Sequence, residues 1–376
     1  MKIAVISMIR DAWGGSEELW HDMAKIALSK GHEVVHLSYE HPLEHFKLAE
    51  LKSSGLVSLK RPGITGNVSG IERFARLTAN FVRKKIQKPV KKIFIQKPDM
   101  ILYNGTCYSI LGEKEILNEL KKFNGKFFLL CHFNERRSPL EKNEKMILKE
   151  VYQKCTKVFF TNYHDIETLT NDLDAEIPNA RVVRNPVNLE NTTMIPFPPD
   201  EPAQIAMVGN LLIFHKGQDI AFNVLKKDTW KKRNWHLNIY GNGPDEDHLK
   251  RLCNEFNLEE KVSFHGKVND IRAVWQKNHL HLMPSRMEGM PLAIVEAMLC
   301  GRPGVVTDVG GISEWIEDEK SGFLAQSATA DAVGDALEKA WQHRTSWKEM
   351  GQYAHQRAAQ LYDPNPGKTL LELMLN

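Results

Sequence analysis

Two carboxylates, Glu288 and Glu296, lie eight positions apart in the stretch "SRMEGMPLAIVEAMLCGRPG". Glu296 is the only charged residue from Pro291 to Cys300. Because proline suits the first turn of a helix and Gly301 suits its end, the segment predicts a helix that is apolar on all sides and therefore buried. A buried carboxylate is costly unless hydrogen bonds or opposite charges meet it. We therefore expect both acids to have partners, either in the protein or in a ligand.

Each acid also has a purely structural explanation. Ser285-x-x-Glu288 matches a capping box, in which a serine and a glutamate satisfy free N–H groups at the start of a helix. Glu296 could instead be paired with a buried arginine. The sequence leaves both explanations open.

Five loops with glycine or polar residues follow successive predicted strands in the second half of the chain. Glycines at a helix N-terminus allow backbone N–H groups and the helix dipole to meet an anion, and lysine adds a full charge. Each loop alone is a weak indication, since a glycine pair is more often only a turn. Together, at consecutive strand ends of one domain, they favour an anion-binding site. In order they are "GNLLIFHKGQD" with Asn210 and Lys216, "YGNGP" with Gly241 and Gly243, "FHGKV" with Lys267 and Val268, "PSRMEGMP" with Arg286, Gly289 and Met290, and "DVGGISEW" with Gly311.

These loops need a scaffold that brings strand ends together. Continuous apolar runs such as "KIAVISM" predict strands buried on both faces, and runs with helical periodicity such as "SEELWHDMAKIALSKG" separate them. The alternation predicts an α/β chain with parallel sheets in two doubly wound, Rossmann-like domains. Ligands bind at the carboxyl ends of strands in such sheets, and we expect the two sets of ends to face an interdomain cleft.

Proline content sets the predicted domain boundaries. The segment 186–202 contains five prolines and no periodicity, which is typical of a linker. Residues 1–185 then form an N-terminal domain and residues 203–355 a C-terminal domain. Residues 356–376 form a C-terminal helical tail that could cross back to the N-terminal domain.

Composition excludes some classes of function. A formal net charge of only +3 gives no global field for nucleic acid, and we see no nucleic-acid-binding motif. Five scattered cysteines without a C-x-x-C pair favour a reducing, cytoplasmic setting. The N-terminal apolar run is too short for a signal peptide, and no run approaches the length of a membrane-spanning helix.

A basic stretch could still reach a membrane surface. Residues 73–97 hold nine basic residues and no acidic one. Phe74, Leu77, Phe81 and Val82 could lie on one face of a basic helix, which suits an anionic membrane such as the inner face of the plasma membrane. A solvated basic helix explains the same pattern.

The segment "PSRMEGMPLAIVEAMLCGRPGVVTDVGGISEWI" resembles the signature of the large retaining glycosyltransferase family 4. The resemblance consists of a Glu-x7-Glu motif, a Gly-x-Pro turn and a Gly-Gly-x-x-Glu stretch. "WGGSE", which includes Gly15, looks like the family's N-terminal glycine loop. The resemblance implies the two-domain GT-B fold, with the first domain for the acceptor and the second for the nucleotide-sugar donor.

The resemblance also implies roles. Glu288 would hold hydroxyls of the donor sugar, with N–H groups after Gly289 helping, and Glu296 would bind the ribose. Lys216 and the turn at Gly311 would stabilise the departing diphosphate, and the Gly241–Gly243 and Lys267–Val268 loops would frame the base. His132, in "LLCHFNE", looks like the family histidine that reaches the donor sugar, although an ordinary strand-end histidine fits the same position.

The implied reaction moves a sugar from a nucleotide-diphosphate sugar, with UDP favoured, to a hydroxyl of a glycan or lipid-linked acceptor. Retention is usually explained in the family by same-face attack, with Glu288 positioning the donor rather than acting as a nucleophile. Because Lys216 and the turn at Gly311 could stabilise the diphosphate without a metal, we expect no metal and no cofactor. Cell-surface polysaccharide or lipid-linked oligosaccharide synthesis is the expected setting.

Asn210 departs from the family pattern, because relatives often carry arginine there. Neutral donors hold phosphate more weakly than charged ones, and Arg286 could supply the missing cation. The departure keeps open a catalytically weak GT-B partner subunit, and a GT-B sugar-nucleotide epimerase is a further alternative. A dinucleotide-dependent oxidoreductase is disfavoured, because "MIRDAWGGSEE" lacks the G-x-G-x-x-G spacing.

Overall fold

The computed structural model describes residues 1–63, 76–77, 79–80, 83, 86–134, 138–199 and 201–376. The chain forms two compact units, and each is built around one parallel sheet. Unit 1 comprises Met1–Pro186 together with Asp363–Asn376, and unit 2 comprises Val187–Tyr362. Eight residues of the basic stretch 73–97, Phe74, Phe81 and Val82 among them, lie outside the described residues.

The sheet of unit 1 has seven parallel strands in the order β3-β2-β1-β4-β5-β6-β7. Its strands are β1 (Lys2–Ser7), β2 (Glu33–Tyr39), β3 (Val57–Arg61), β4 (Met100–Gly105), β5 (Lys126–Cys131), β6 (Lys157–Phe160) and β7 (Ala180–Val182). Its helices up to residue 173 are α1 (Gly15–Ser29), α2 (Phe46–Ser53), α3 (Pro89–Ile95), α4 (Lys114–Leu120), α5 (Lys142–Lys154) and α6 (Tyr163–Leu173), with a 3-10 turn at Ser109–Gly112.

The sheet of unit 2 has six parallel strands in the order β10-β9-β8-β11-β12-β13. Its strands are β8 (Ala203–Val208), β9 (Trp235–Tyr240), β10 (Val262–Gly266), β11 (Leu280–Met283), β12 (Gly304–Thr307) and β13 (Gly322–Ala325). Its helices are α7 (Ile213–Lys216), α8 (Gln218–Leu225), α9 (Asp228–Lys231), α10 (Glu246–Glu255), α11 (Ile271–Lys277), α12 (Leu292–Leu299), α13 (Ile312–Trp315), α14 (Ala330–Gln342) and α15 (Trp347–Leu361), with a 3-10 turn at Arg344–Ser346. The last helix, α16 (Pro366–Leu375), packs on α1 in unit 1.

Both sheets are buried on both faces, as continuous apolar strands predict. In β1, Ile3 and Val5 face one core of unit 1, and Ala4 and Ile6 face the other. The doubly wound sheets confirm the predicted α/β class. In each sheet the strand order reverses beside a central strand, between β1 and β4 and between β8 and β11, which is the place where such folds bind ligands.

The predicted linker is part of unit 2. Ile195 is buried in a core cluster of that unit, and Arg272 donates hydrogen bonds to the carbonyls of Asn191 (2.6 Å) and Thr193 (2.8 Å). Arg302 donates to the carbonyl of Pro196 at 2.6 Å. These hydrogen bonds hold the proline-rich segment against unit 2. The segment is therefore an irregular, packed part of that unit rather than a flexible linker.

The tail also differs from its predicted bounds. Residues up to Tyr362 belong to unit 2, because α15 continues to Leu361, and the return to unit 1 begins at Asp363. Lys126 and Lys157 of unit 1 donate hydrogen bonds to the carbonyls of Leu375 and Leu373. None of the helices in the described ranges is long and apolar enough to cross a membrane.

Candidate functional site

Lys216 and Glu288 form an ion pair at the point where the strand order of unit 2 reverses. Lys216 ends the short helix after β8, and Glu288 lies in the loop after the neighbouring strand β11. The Lys216 Nζ atom is 2.7 Å from Oε1 of Glu288, and the carboxylate side chain is 9% exposed. No capping box forms, because the next helix begins at Leu292. The capping-box explanation of Glu288 is therefore wrong.

Glycines allow the neighbouring loops to pack directly on this pair. A Cβ atom on Gly241 would lie 1.8 Å from the Gly209 carbonyl oxygen, and Gly241 has a φ of +142° that favours glycine. A Cβ atom on Gly310 would lie 2.1 Å from the carbonyl oxygen of Glu288. Since close packing explains these glycines, the ligand contacts predicted for Gly241 and Gly243 stay predictions.

Glu296 is buried inside α12, as the sequence predicts, and is 3% exposed. Its Oε1 atom accepts hydrogen bonds from the backbone N–H of Asn188 (2.8 Å) and from Asn188 Nδ2 (3.0 Å). Burial raises the pKa of Glu296, and the two bonds from Asn188 partly offset that rise. Arg302, which is fully buried nearby in sequence, donates to backbone carbonyls instead. The alternative of a buried arginine partner for Glu296 is therefore wrong.

Asn188 leaves part of the Glu296 carboxylate unused. Within the described ranges both hydrogen bonds go to Oε1, and none goes to Oε2. A carboxylate can accept several hydrogen bonds on its two oxygens. Glu296 is therefore held in place by the protein and retains capacity to accept from a hydroxyl.

Arg286, the expected second phosphate cation, is paired with a carboxylate in this structure. Its Nη1 and Nη2 atoms lie 2.7 and 2.8 Å from the two carboxylate oxygens of Asp219, and Nη1 also donates to the Ile213 carbonyl at 2.8 Å. This bidentate pair raises the pKa of Arg286 and joins the loop after β11 to α8. The pair joins Arg286 to Asp219 and holds the loop that carries Glu288, and the expectation that Arg286 replaces the missing cation stays a prediction.

The other predicted residues of unit 2 lie on the same loops. Asn210 is exposed after β8, and its backbone carbonyl accepts a hydrogen bond from Gln218 Nε2 at 2.9 Å. The Gly311 N–H donates to the Gly289 carbonyl at 3.0 Å, which ties the loop after β12 to the loop after β11. The remaining positions are Lys267, exposed after β10, Val268, half-buried beside it, and Met290, buried in the core under α12.

Two of the predicted residues lie in unit 1. Gly15 is the exposed first residue of α1, and His132 is buried at the end of β5. Burial lowers the pKa of His132 to about 4, so its ring is neutral at neutral pH. His132 Nε2 lies 2.7 Å from Oδ1 of Asn104, at the end of the adjacent strand β4.

Four residues that hold the candidate residues were missed in the sequence: Glu17, Asn104, Asn188 and Asp219. Glu17 had a signal, because it lies three residues before Trp20 on the apolar stripe of α1 and is therefore a second acid on a buried helix face. Asn188 lay in the segment interpreted as a linker. Asn104 and Asp219 had no signal beyond their positions after or near a strand end.

No cluster of three His, Cys, Asp or Glu side chains able to hold a metal ion occurs within the described ranges. The expectation of a metal-independent site stays a prediction. All five cysteines are free and buried.

Comparisons with known proteins agree with this architecture. Residues 192–357 match the family described as "Glycosyl transferases group 1". An uncharacterized glycosyltransferase of Haemophilus influenzae is 29% identical over 163 residues, which are 43% of each chain. The poly(ribitol-phosphate) alpha-N-acetylglucosaminyltransferase of Staphylococcus aureus is 25% identical over 231 residues, 60% of this chain and 46% of that protein. The chain thus aligns with less than half the length of these curated relatives.

A solved structure covers the whole chain. HepE of Anabaena in complex with UDP superposes with a TM-score of 0.73 at 17% identity, over 100% of this chain and 99% of that one. At this identity the similarity shows the fold alone. The chain therefore has the two-domain GT-B fold, and its residues 192–357 carry the sequence similarity to the group 1 glycosyltransferases.

Proposed function

We propose that this protein is a retaining glycosyltransferase that moves a sugar from a nucleotide-diphosphate sugar to a hydroxyl of an acceptor glycan. The observation that carries the proposal is the ion pair of Lys216 and Glu288 at the strand-order reversal of unit 2, eight residues before the buried Glu296. The group 1 match over residues 192–357 includes all three residues.

Lys216 has the chemistry that the leaving group requires. Breaking a sugar–diphosphate bond leaves negative charge on the diphosphate, and a preorganised cation stabilises that charge most strongly where water is excluded. Lys216 is 28% exposed and has three N–H donors, of which one faces Glu288. It can contact a phosphate oxygen while keeping that bond. The Gly311 N–H already donates to the Gly289 carbonyl, so this proposal assigns the diphosphate to Lys216.

The two carboxylates bind hydroxyls in this proposal. Glu288 positions hydroxyls of the donor sugar, and Glu296 accepts from the ribose through the oxygen that Asn188 leaves unused. Neither acts as a nucleophile: retention follows from attack on the same face, with the departing phosphate oxygen taking the acceptor proton. A glycosidase-like pair would need two carboxyl groups flanking one bond. Here Glu288 is paired with Lys216 in a loop and Glu296 is bound to Asn188 inside a helix.

We favour UDP as the nucleotide, with a hexosyl or N-acetylhexosaminyl group as the sugar. HepE binds UDP in its solved structure, and the Staphylococcus aureus relative is an N-acetylglucosaminyltransferase that acts on a poly(ribitol-phosphate). These relatives support cell-surface polysaccharide or lipid-linked oligosaccharide synthesis as the setting. The basic stretch 73–97 supports a cytoplasmic protein that contacts an anionic membrane surface.

A thermal-shift panel of UDP-, GDP- and ADP-sugars tests the donor class, followed by transfer assays on glycan acceptors with the donor that binds. We expect a UDP-sugar to raise the melting temperature and to be consumed, with the anomeric configuration retained in the product. A folded protein whose melting temperature no nucleotide sugar changes would contradict the proposal.

A second candidate function is a catalytically weak partner subunit. Asn210 is neutral, and Arg286 is paired with Asp219, so of the expected cations only Lys216 remains beside Glu288. Binding of a nucleotide sugar without transfer or hydrolysis would favour this candidate. Measurable turnover by the purified protein would exclude it.

A further inference from the structure

Unit 1, which does not contain the Glu-x7-Glu motif, has a buried hydrogen-bond network at the ends of its strands. Its centre is Glu17 of α1, which is 2% exposed. Oε1 of Glu17 accepts from Ser7 Oγ (2.7 Å) and Asn104 Nδ2 (3.0 Å), and Oε2 accepts from Trp20 Nε1 (2.5 Å). Asn104 continues the network to His132, whose Nε2 is 2.7 Å from Asn104 Oδ1.

The orientation of the Asn104 amide follows from its partners. Its Nδ2 atom faces Glu17 Oε1 and also the backbone carbonyl of Ser16 at 3.2 Å. A carbonyl oxygen never donates, so an amide turned the other way would place two acceptors against each other. This holds whether Glu17 is ionised or protonated. The atom that faces His132 is therefore the amide oxygen.

The tautomer of His132 then follows from the amide. A neutral imidazole has one donor nitrogen and one acceptor nitrogen, and only a donor can pair with Asn104 Oδ1. Nε2 must carry the proton, which leaves Nδ1 with its lone pair. The backbone of His132 is held as well: its N–H donates to the Gly105 carbonyl (3.1 Å) and its carbonyl accepts from Thr161 Oγ1 (3.1 Å). Within the described part of the chain, no hydrogen bond occupies Nδ1.

We propose that Asn104, oriented by Glu17 and the Ser16 carbonyl, is a positioning residue that keeps the proton of His132 on Nε2. His132 then presents Nδ1 as an acceptor only, and the group that binds to it must carry a hydrogen, such as a sugar hydroxyl. A phosphate or ether oxygen cannot bind there. The assignment of the group as a substrate hydroxyl rests on the proposed function, whereas the tautomer does not.

The chain provides a matched control in unit 2. His265 Nε2 lies 2.8 Å from Oδ1 of Asn238, whose Nδ2 donates to Gln204 Oε1 (2.7 Å) and Asn278 Oδ1 (2.9 Å). Asn278 Nδ2 donates to the Val274 carbonyl (2.8 Å), so Asn278 Oδ1 faces Asn238. Asn238 Oδ1 therefore faces His265, and a neutral His265 must then carry its proton on Nε2. Substitution of Asn238 should therefore change the tautomer of His265 and leave His132 unaffected.

Nitrogen NMR of protein labelled at histidine with ¹⁵N measures the tautomer without any substrate, and the His132 resonances are identified by their absence in His132→Gln. We expect protonated Nε2 and unprotonated Nδ1 in the unmodified protein. Asn104→Ala should weaken this preference and let a measurable fraction of the proton move to Nδ1, and Asn238→Ala should not. A proton on Nδ1, or an unchanged tautomer in folded Asn104→Ala, would overturn the proposal. If Asn104→Ala does not fold, the tautomer of His132 in the unmodified protein tests the proposal, and a proton on Nδ1 overturns it.

Binding measurements test the hydroxyl part separately. His132→Ala should weaken binding of a UDP-sugar roughly fivefold to tenfold, the value of one neutral hydrogen bond, and should leave binding of UDP unchanged. An equal loss for UDP and the UDP-sugar would place the nucleotide at His132 and refute the hydroxyl assignment. An inactive protein with protonated Nε2 would refute the proposed function alone, and an active one with protonated Nδ1 would refute the positioning alone.

Discussion

The Lys216 Nζ atom lies 2.7 Å from Glu288 Oε1 and joins the loops after two adjacent strands of unit 2. The family resemblance implies that the two residues meet different parts of a ligand, the lysine the phosphate and the acid the sugar hydroxyls. In the structure they form an ion pair. Each thereby holds the other in position at the strand-order reversal, and a ligand that bears both phosphate and hydroxyls can contact the pair as one unit.

Removal of the lysine charge should abolish most turnover. In Lys216→Met the diphosphate loses its cation, and we expect the transfer rate to fall roughly 10²- to 10³-fold, as for the loss of one preorganised group that stabilises transition-state charge. Lys250→Met is the control, because it removes an exposed lysine paired with Glu246 on a helix of the same unit. Steady-state transfer assays compare the variants. Equal transfer rates in Lys216→Met and Lys250→Met would show that Lys216 does not stabilise the leaving diphosphate.

Asp219 and Arg286 should act as one structural unit. Asp219→Asn breaks the bidentate pair, and Arg286→Lys cannot reproduce its two parallel bonds. We expect each change to lower the free energy of unfolding by about 1 kcal/mol, and the double variant to lose less than the sum. Thermal denaturation of the four proteins in this cycle measures the coupling. If Asp219→Asn instead tightens UDP binding without loss of stability, Arg286 is a phosphate ligand after all.

Glu296 should bind the ribose without being needed for folding. Glu296→Gln keeps an Oε1 atom for Asn188 but removes the charge and replaces Oε2, the proposed ribose acceptor, with an NH2 donor. Glu296→Ala leaves the Asn188 N–H unpaired, at a cost of about 1–3 kcal/mol. We expect Glu296→Ala to abolish the thermal shift given by the donor, and Glu296→Gln to weaken donor binding roughly tenfold with little change in melting temperature. Calorimetry with UDP is the measurement. Unchanged UDP affinity in both variants would rule out the ribose contact.

Glu17 should make the stability of unit 1 depend on pH. Burial raises its pKa from 4.5 to about 7, so the folded state binds the proton more tightly than the unfolded state. The tighter proton binding raises the free energy of unfolding. This contribution is complete below pH 4.5 and is lost as the pH rises to about 7. The free energy of unfolding of Glu17→Gln, minus that of wild type, should therefore increase from pH 5 to pH 8, by at most about 3 kcal/mol, because only wild type loses this contribution.

Denaturation curves at several pH values measure this difference. Glu50→Gln is the control, since Glu50 is an exposed carboxyl whose pKa its partner Lys25 lowers. Its contribution is already complete at pH 5, so the difference from wild type should stay constant up to pH 8. A constant difference for Glu17→Gln as well would show that the Glu17 carboxyl is ionised throughout this range.

Much of the fold could be predicted from local pattern. Strands such as Lys2–Ser7 are continuous apolar runs and helices such as α1 have an apolar stripe, so element type needs no knowledge of the partners. Two strands gave little local signal: β3 has one buried residue of five, and β7 has three residues in all. The proline-rich segment was misassigned because the arginines that bind its carbonyls lie about 80 to 106 positions away.

The sequence by itself determined which residues follow strand ends, because continuous apolar runs mark the strands. The carboxyl ends of parallel strands share one edge of the sheet, where such folds bind ligands, so these residues could be predicted to form a site. The sequence placed Lys216, Glu288 and Glu296 correctly in unit 2. The tertiary structure decided which charges pair. Asp219 is 67 positions from Arg286, and Asn188 is 108 positions from Glu296. Hydrogen bonds require partners within about 3 Å in a set direction, and only the packing of distant segments fixes such distances.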